Sequence, residues 1–211
     1  MPIVSLEADK AGDRAVLEGI AEVFKHVIGR RVFPHQISFV LDSPVRKILI
    51  APTQLADRLH LTETSRVLEV GSGSGVFSVE VARRVPRGRL ELFDLQSEML
   101  EKAKRKIEAA CLSDVCSYTQ GEAGDLPFPE ASFDVAFLVT VLGEVGDPHK
   151  CLQGLYCVIR PGGLLSITEH LPDSDFSSFS RLRSLVEQDG FPLFERFGHA
   201  WCYTANFRRP E

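Results

Sequence analysis

The stretch VLEVGSGSG, Val67 to Gly75, constrains this chain more than any other, because an apolar strand runs straight into glycines at alternate positions. A strand that ends this way leaves backbone N–H groups bare above the start of the next helix, where the positive end of the helix dipole also points. Something polar is expected to sit there. The strand Arg89 to Phe93 is closed by Asp94, 19 residues past Gly75. Strand, glycine turn, helix, second strand and acid therefore follow in the order of a nucleotide-binding half-fold. From that strand end Asp94 can accept hydrogen bonds from both hydroxyls of a ribose, which disfavours a phosphate on the 2′ oxygen.

Glycine spacing then divides two kinds of ligand. Dinucleotide folds want G-x-G-x-x-G, whose third glycine lets the helix pack close while a pyrophosphate rests on its N-terminus. Here Val76 occupies that position and Gly75 comes one residue early. Glu69, two residues before Gly71, adds an argument from charge: an acid at the end of a central parallel strand is costly unless a cation or several donors satisfy it. It would repel a pyrophosphate and welcome an ammonium. The run Glu69 to Gly75 resembles the first motif of the class I S-adenosylmethionine-dependent methyltransferases, whose ligand has a nucleoside but no phosphate.

With 211 residues, 44% of them hydrophobic, the chain can bury a full core. A net charge of −5 without a long basic run argues against a protein that grips a nucleic-acid backbone. The amino terminus lacks a charged-then-apolar signal pattern, and no apolar run approaches the ~20 residues that span a bilayer. A cytoplasmic protein without stable membrane insertion is expected. Five cysteines with no C-x-x-C suggest neither a disulfide framework nor a zinc site, and no metal is expected. Cys151 and Cys157 would lie about 240° apart around a helix, so buried, separate thiols are the expectation.

Leu17, Ile20, Phe24 and Val27 recur at helical spacing, so an amphipathic helix is expected from Asp13 to Gly29. The aromatic segment Arg30 to Asp42 has no clear period and is a candidate lid. Residues 1–42 are accordingly read as an N-terminal helical cap, and 43–211 as the main domain. Pro52 divides two short helices, the second ending near Leu61. From Arg66 the alternation is regular: a helix over Val76 to Arg84, a helix capped by Ser97, and an outer strand over Cys116 to Gln120. A doubly buried strand spans Val135 to Val139, a helix starts at Asp147 and stops at Arg160 to Gly162, and a further strand covers Leu164 to Thr168. Beyond His170, a helix carrying Leu182, Leu185 and Val186 ends at Gly190. Two β-rich runs, Phe191 to Phe197 and Ala200 to Phe207, then form an antiparallel hairpin turning at Gly198 and His199.

This pattern is similar to the α/β, Rossmann-like class I methyltransferase fold: a seven-stranded, mostly parallel sheet with a C-terminal antiparallel hairpin and helices on both faces. GEAGDLPFPEASFDVAF, Gly121 to Phe137, and IRPGGLLSITE, Ile159 to Glu169, resemble two further stretches of that family. The resemblance implies S-adenosylmethionine as cofactor, with S-adenosylhomocysteine as product. It places Gly71, Ser72 and Gly73 beneath the sulfonium arm, Glu69 near the methionyl ammonium and Asp94 at the ribose, with Gly75 and Leu95 also among the cofactor-binding residues. Met99, Glu122 and the backbone N–H of Ala123 go to the adenine, and Val139 and Thr140 to the edge of the methyl.

A methyl on a sulfonium needs mainly an aligned nucleophile and the exclusion of water. A base helps where the acceptor must lose a proton, and His35, within the aromatic segment, is the first candidate, with Glu144 and His170 behind it. Val139, Thr140, Val141 and Leu142 replace the [DN]-P-P-[YF] run that DNA amino-methyltransferases resemble one another in. There is also no Pro-Cys dipeptide for cytosine chemistry. The expected partner is a small molecule, apolar or aromatic, with Phe33, Phe39, Phe176, Phe179 and Trp201 as candidate lining, and the protein is expected to be a monomer or homodimer. An NAD-linked oxidoreductase and a non-catalytic nucleoside-binding protein remain the alternatives.

Overall fold

A computed structural model describes residues 51–171, 173 and 175–211. The helix expected over Asp13 to Gly29, the lid segment and the boundary after residue 42 lie outside the described residues.

Helix α1 (Pro52–Arg58) opens with proline at its first position, where the missing N–H is no loss, and buries Leu55 and Ala56. The apolar strand β1 (Arg66–Val70) leads through the glycine turn into α2 (Ser78–Arg84), followed by β2 (Arg89–Asp94) and α3 (Ser97–Ala109). Met99, Leu100, Ala103 and Ile107 form the buried stripe of α3, as their spacing requires. Beyond it come β3 (Cys116–Gln120), β4 (Phe133–Val139), α4 (Pro148–Val158), β5 (Ile159–His170), α5 (Phe179–Gln188), β6 (Leu193–His199) and β7 (Cys202–Arg208).

The strands form one sheet in the order β3-β2-β1-β4-β5-β7-β6. Pairing is parallel from β3 to β5 and antiparallel on both sides of β7, so only β7 runs against the rest. One face buries Leu68, Val70, Ala136 and Leu138 under α4 and α5. The other buries Val67, Leu90, Leu92 and Phe137 under α1, α2 and α3. The chain leaves β1 in one direction for β2 and β3 and returns on its other side as β4. The crevice at the carboxyl ends of β1 and β4 is therefore a topological switch point, where open α/β sheets bind ligands.

Several local expectations need correction. The first crossover helix begins at Ser78, two residues later than expected, and Ser97 is its helix's first residue without capping it. Helix α4 starts as read, with the Asp147 carboxylate accepting the Lys150 N–H, but ends at Val158. Residues 159–163 are extended because partners flank them: Phe133 pairs with Ile159, and Gly162 and Gly163 exchange backbone bonds with Arg209. The hairpin keeps a two-residue turn but places it at Ala200 and Trp201, with His199 opposite Cys202. Gly198 stays within β6 at φ +89°, where an added Cβ would lie 2.3 Å from the Cys202 carbonyl oxygen. Cys151 and Cys116 are buried, whereas Cys111 and Cys157 are exposed.

Candidate cofactor and acceptor site

Four amides of the glycine turn are used within the fold, contrary to the bare N–H groups expected from the sequence. Gly71 and Ser72 donate to the Phe93 carbonyl at 2.8 and 3.2 Å, and Gly75 donates to the Ser72 carbonyl at 3.0 Å. The Gly73 N–H donates to Asp94 Oδ2 at 2.7 Å. Gly71, Gly73 and Gly75 all have positive φ, at 71°, 53° and 76°, a region that side-chain-bearing residues enter at a cost. Their surroundings differ. A Cβ on Gly71 would strike Val141 Cγ2 at 2.3 Å and one on Gly75 would strike Ala103 Cβ at 2.8 Å, while one on Gly73 would meet nothing within 4 Å. Gly75 thus lets α3 approach, the task of the third glycine in a dinucleotide fold, and Gly73 leaves open space above the turn.

Two acids lie beneath. Glu69 is only 3% exposed and accepts from Ser78 Oγ. Burial pushes its carboxyl up to about 8, against the bond from Ser78, and the nearby Asp94 adds to the rise. The side chain expected at the methionyl ammonium is in this structure enclosed against the first residue of α2. Asp94, 7% exposed, takes Gly73 N–H on one oxygen and Gln96 N–H at 2.9 Å on the other. Burial raises the Asp94 carboxyl above its ordinary value, opposed by backbone N–H bonds from Gln96, Gly73 and Leu95.

The adenine-side residues converge on the same edge. Asp94 pairs with Gln120, Gly121 N–H donates to the Asp94 carbonyl at 3.0 Å, and Gln120 Nε2 donates to the Leu95 carbonyl at 3.1 Å. This brings Glu122, exposed, and Ala123, half-buried, beside Leu95, which is 48% exposed. Met99 is buried in the α3 stripe. Gly121 allows the approach, since a Cβ there would lie 2.6 Å from Phe93 Cζ. Across the crevice, Val139 ends β4 and Thr140 follows at φ +53°, its N–H donating to the Thr168 carbonyl at 2.9 Å. Val141 then covers Gly71, joining the turn to the end of β4.

Among the candidate bases, Glu144 lies in the loop after β4 and His170 is buried at the end of β5. His35, Phe33 and Phe39 lie outside the described residues. Phe176 and Phe179 pack edge-on against Tyr203, with ring centroids 6.1 and 5.7 Å away. Trp201 stands 61% exposed at the hairpin turn. One residue escaped the sequence reading. Glu169 is 1% exposed at the end of β5, and the argument applied to Glu69, an acid closing an apolar strand, would have found it.

Residues 67–163 match a family model described as a methyltransferase domain. A ubiquinone/menaquinone biosynthesis C-methyltransferase of Pectobacterium carotovorum is 31% identical over 147 residues, covering 68% of this chain and 56% of the relative. The corresponding Edwardsiella ictaluri protein is 29% identical over 206 residues, covering 96% and 75%. The chain spans about half the length of several of the curated relatives it matches, for example 48% of the Roseobacter denitrificans protein. In fold it is similar to a SAM-dependent methyltransferase from Aquifex aeolicus, with a TM-score of 0.78 at 23% identity over 84% of this chain and all of the other. The [4+2]-cyclase SpnF shares the fold at a TM-score of 0.67 and 19% identity, over 75% of this chain and 79% of the other. S-adenosylmethionine is the cofactor that this family and fold imply. The residues present fit it: a glycine turn with open space at Gly73, a buried Ser72 hydroxyl without a partner among the described residues, and the Asp94 carboxylate at the end of β2. Sequence match and sheet order agree that residues 67–163 form a methyltransferase domain in a sheet of the class I, S-adenosylmethionine-dependent fold.

Proposed function

We propose that the protein moves a methyl group from S-adenosylmethionine onto a small apolar or aromatic acceptor by in-line displacement. The observation that carries this reading is the glycine turn, whose amides at Gly71, Ser72, Gly73 and Gly75 are consumed internally above a buried acid. With those four amides committed and an acid below, the turn suits an uncharged or cationic arm better than a diphosphate. When bound, the cofactor supplies an electrophilic methyl group on a sulfonium. Asp94 and Leu95 hold the ribose, Glu122 and Ala123 meet the adenine edge, and Met99 backs the ring from within α3. Gly71, Ser72 and Gly73 pass beneath the sulfonium arm, Glu69 lies near the methionyl ammonium, and Val139 and Thr140 border the methyl. What these residues contribute is alignment and dryness, which is most of what the transfer needs. The acceptor is a small molecule and not a nucleic acid, in keeping with the net charge of −5. Relatives that are C-methyltransferases of quinone biosynthesis favour an aromatic carbon.

Thermal unfolding with S-adenosylmethionine, S-adenosylhomocysteine and NADH tests the cofactor. A ligand at 100 times its Kd adds about 2.7 kcal/mol of stability, and both sulfur ligands should do so. Equal stabilisation by NADH would restore the oxidoreductase alternative. Methyl transfer to a panel of phenols, hydroquinones and amines then separates an enzyme from a binding protein.

A further inference from the structure

Glu169 is a buried carboxyl that the cofactor does not use, at the edge of the sheet where the methyl should emerge. Thr168, immediately before it, pairs with Val139 and accepts the Thr140 N–H. Glu169 itself lies opposite Tyr203 on β7. Its Oε2 accepts a long 3.5 Å bond from Ser177 N–H, while the Tyr203 hydroxyl donates to the Ser177 carbonyl at 2.6 Å. The remaining oxygen, Oε1, is buried and has no hydrogen-bond partner among the described residues. An orphaned carboxyl oxygen in an interior is costly and marks a place where a donor belongs.

The surroundings say which donor. Tyr203, opposite Glu169, is packed edge-on by Phe176 and Phe179, a wall suited to an aromatic molecule. The charged and titratable groups facing it are Glu144 from the loop after β4, Asp173 and Asp175 from the segment after β5, and the Tyr203 hydroxyl. His170 follows it in β5, and Arg196 of β6 lies over the Tyr203 ring at 5.6 Å. Among the described residues, no group of His, Cys, Asp and Glu is arranged to hold a metal ion. Ser177 is the only backbone donor to the carboxylate among the described residues.

We propose that Glu169 is the acceptor-side base, receiving on Oε1 the hydroxyl of an aromatic acceptor and taking its proton as the ring is methylated. This deepens the methyl-transfer reading and rests on it. The acceptor's O–H bond breaks and its proton passes to the Glu169 carboxylate. The oxygen's electrons, delocalised to the ring carbon, form the new carbon–carbon bond to the methyl, and the carbon–sulfur pair returns to sulfur, leaving a neutral thioether. The ring C–H proton then leaves to water while Glu169 returns its proton to the oxygen, so that one proton is released in total.

The test uses the full chain loaded with S-adenosylhomocysteine, with hydroquinone as probe. Burial, reinforced by Asp173, Asp175 and Glu144 and opposed by the bond from Ser177, pushes the Glu169 carboxyl up to about 8. Infrared difference spectra should therefore show a carboxylic-acid C=O band that fades as pH rises through that value, is missing from Glu169→Gln, and shifts when hydroquinone is added. With S-adenosylmethionine, Glu169→Gln should lower kcat by about 10²-fold or more and lose the limb of the rate profile that rises toward pH 8. Its affinity for S-adenosylmethionine by calorimetry should equal that of the wild type. Glu169→Asp, which keeps the acid on a shorter arm, should retain the rising limb at a lower kcat. A wild-type band that does not respond to hydroquinone, or a Gln variant with wild-type kcat and pH profile, would overturn the proposal and leave Glu169 a structural carboxyl. Failure of the wild type to bind S-adenosylmethionine would instead sink the methyl-transfer reading, and calorimetry reports that separately.

Discussion

Gly71 and Gly73 share a left-handed backbone and differ in what stands over them, so the same substitution should fail in two ways. Alanine at Gly71 drives its Cβ into Val141 and must lose both stability, by roughly 2–3 kcal/mol from strain and overpacking, and cofactor affinity. Alanine at Gly73 meets open space, costs only about 1–2 kcal/mol of backbone strain, and should abolish binding by filling the room the ligand needs. Urea unfolding paired with calorimetry distinguishes them; equal affinity loss without a stability difference would refute this account of the turn. Asp94→Asn tests the ribose assignment. Either its amide replaces a carboxylate oxygen that accepts from Gly73 or Gln96, or it keeps those bonds and loses charge. In both cases the loss of S-adenosylmethionine affinity should exceed the loss of stability.

At the scale of elements, the hairpin at the sheet's edge is the place where local signals misled. A glycine followed by histidine reads as a turn, yet Gly198 serves as the point where β6 crosses close to the Cys202 carbonyl. Its register is decided by β7, which must set Tyr203, Ala205 and Phe207 opposite Glu169, Ile167 and Leu165 on the buried face. Gly198→Ala should therefore destabilise the fold by several kcal/mol, through both φ +89° and overpacking, where a turn glycine would cost less. The change is measured by chemical denaturation. Tyr203→Phe should cost about 1 kcal/mol for the bond to Ser177 and increase amide hydrogen exchange around Ser177 without unfolding the sheet. The strand that begins at Ile159 instead of Leu164 teaches the same lesson: its extra residues are extended because Phe133 and Arg209 lie on either side.

Over the whole molecule, two buried acids make stability fall with pH. Glu69 and Glu169 titrate near 8 in the folded chain and at an ordinary 4.5 when exposed. Between those values the folded protein holds protons that the unfolded chain releases, so stability declines as pH rises through that window and levels off above it. Each acid can contribute up to a few kcal/mol to that decline. Glu69→Gln should flatten its share, gaining relative to wild type at pH ~8.5 compared with pH ~5 in urea titrations; an unchanged difference would mean that Glu69 is solvated. The sequence by itself determined the glycine turn, the acids at positions 69 and 94, the buried parallel strands and the closing hairpin. Each is written locally, in residue spacing and strand-end chemistry. Only the tertiary structure decided that the turn's amides face inward, that Glu169 keeps an unpaired oxygen beside Tyr203, and where β5 and the hairpin turn begin. Those outcomes depend on Phe93, Ser177, Arg209 and Tyr203, partners far along the chain, and hydrogen-bond satisfaction across such distances leaves no local pattern to read.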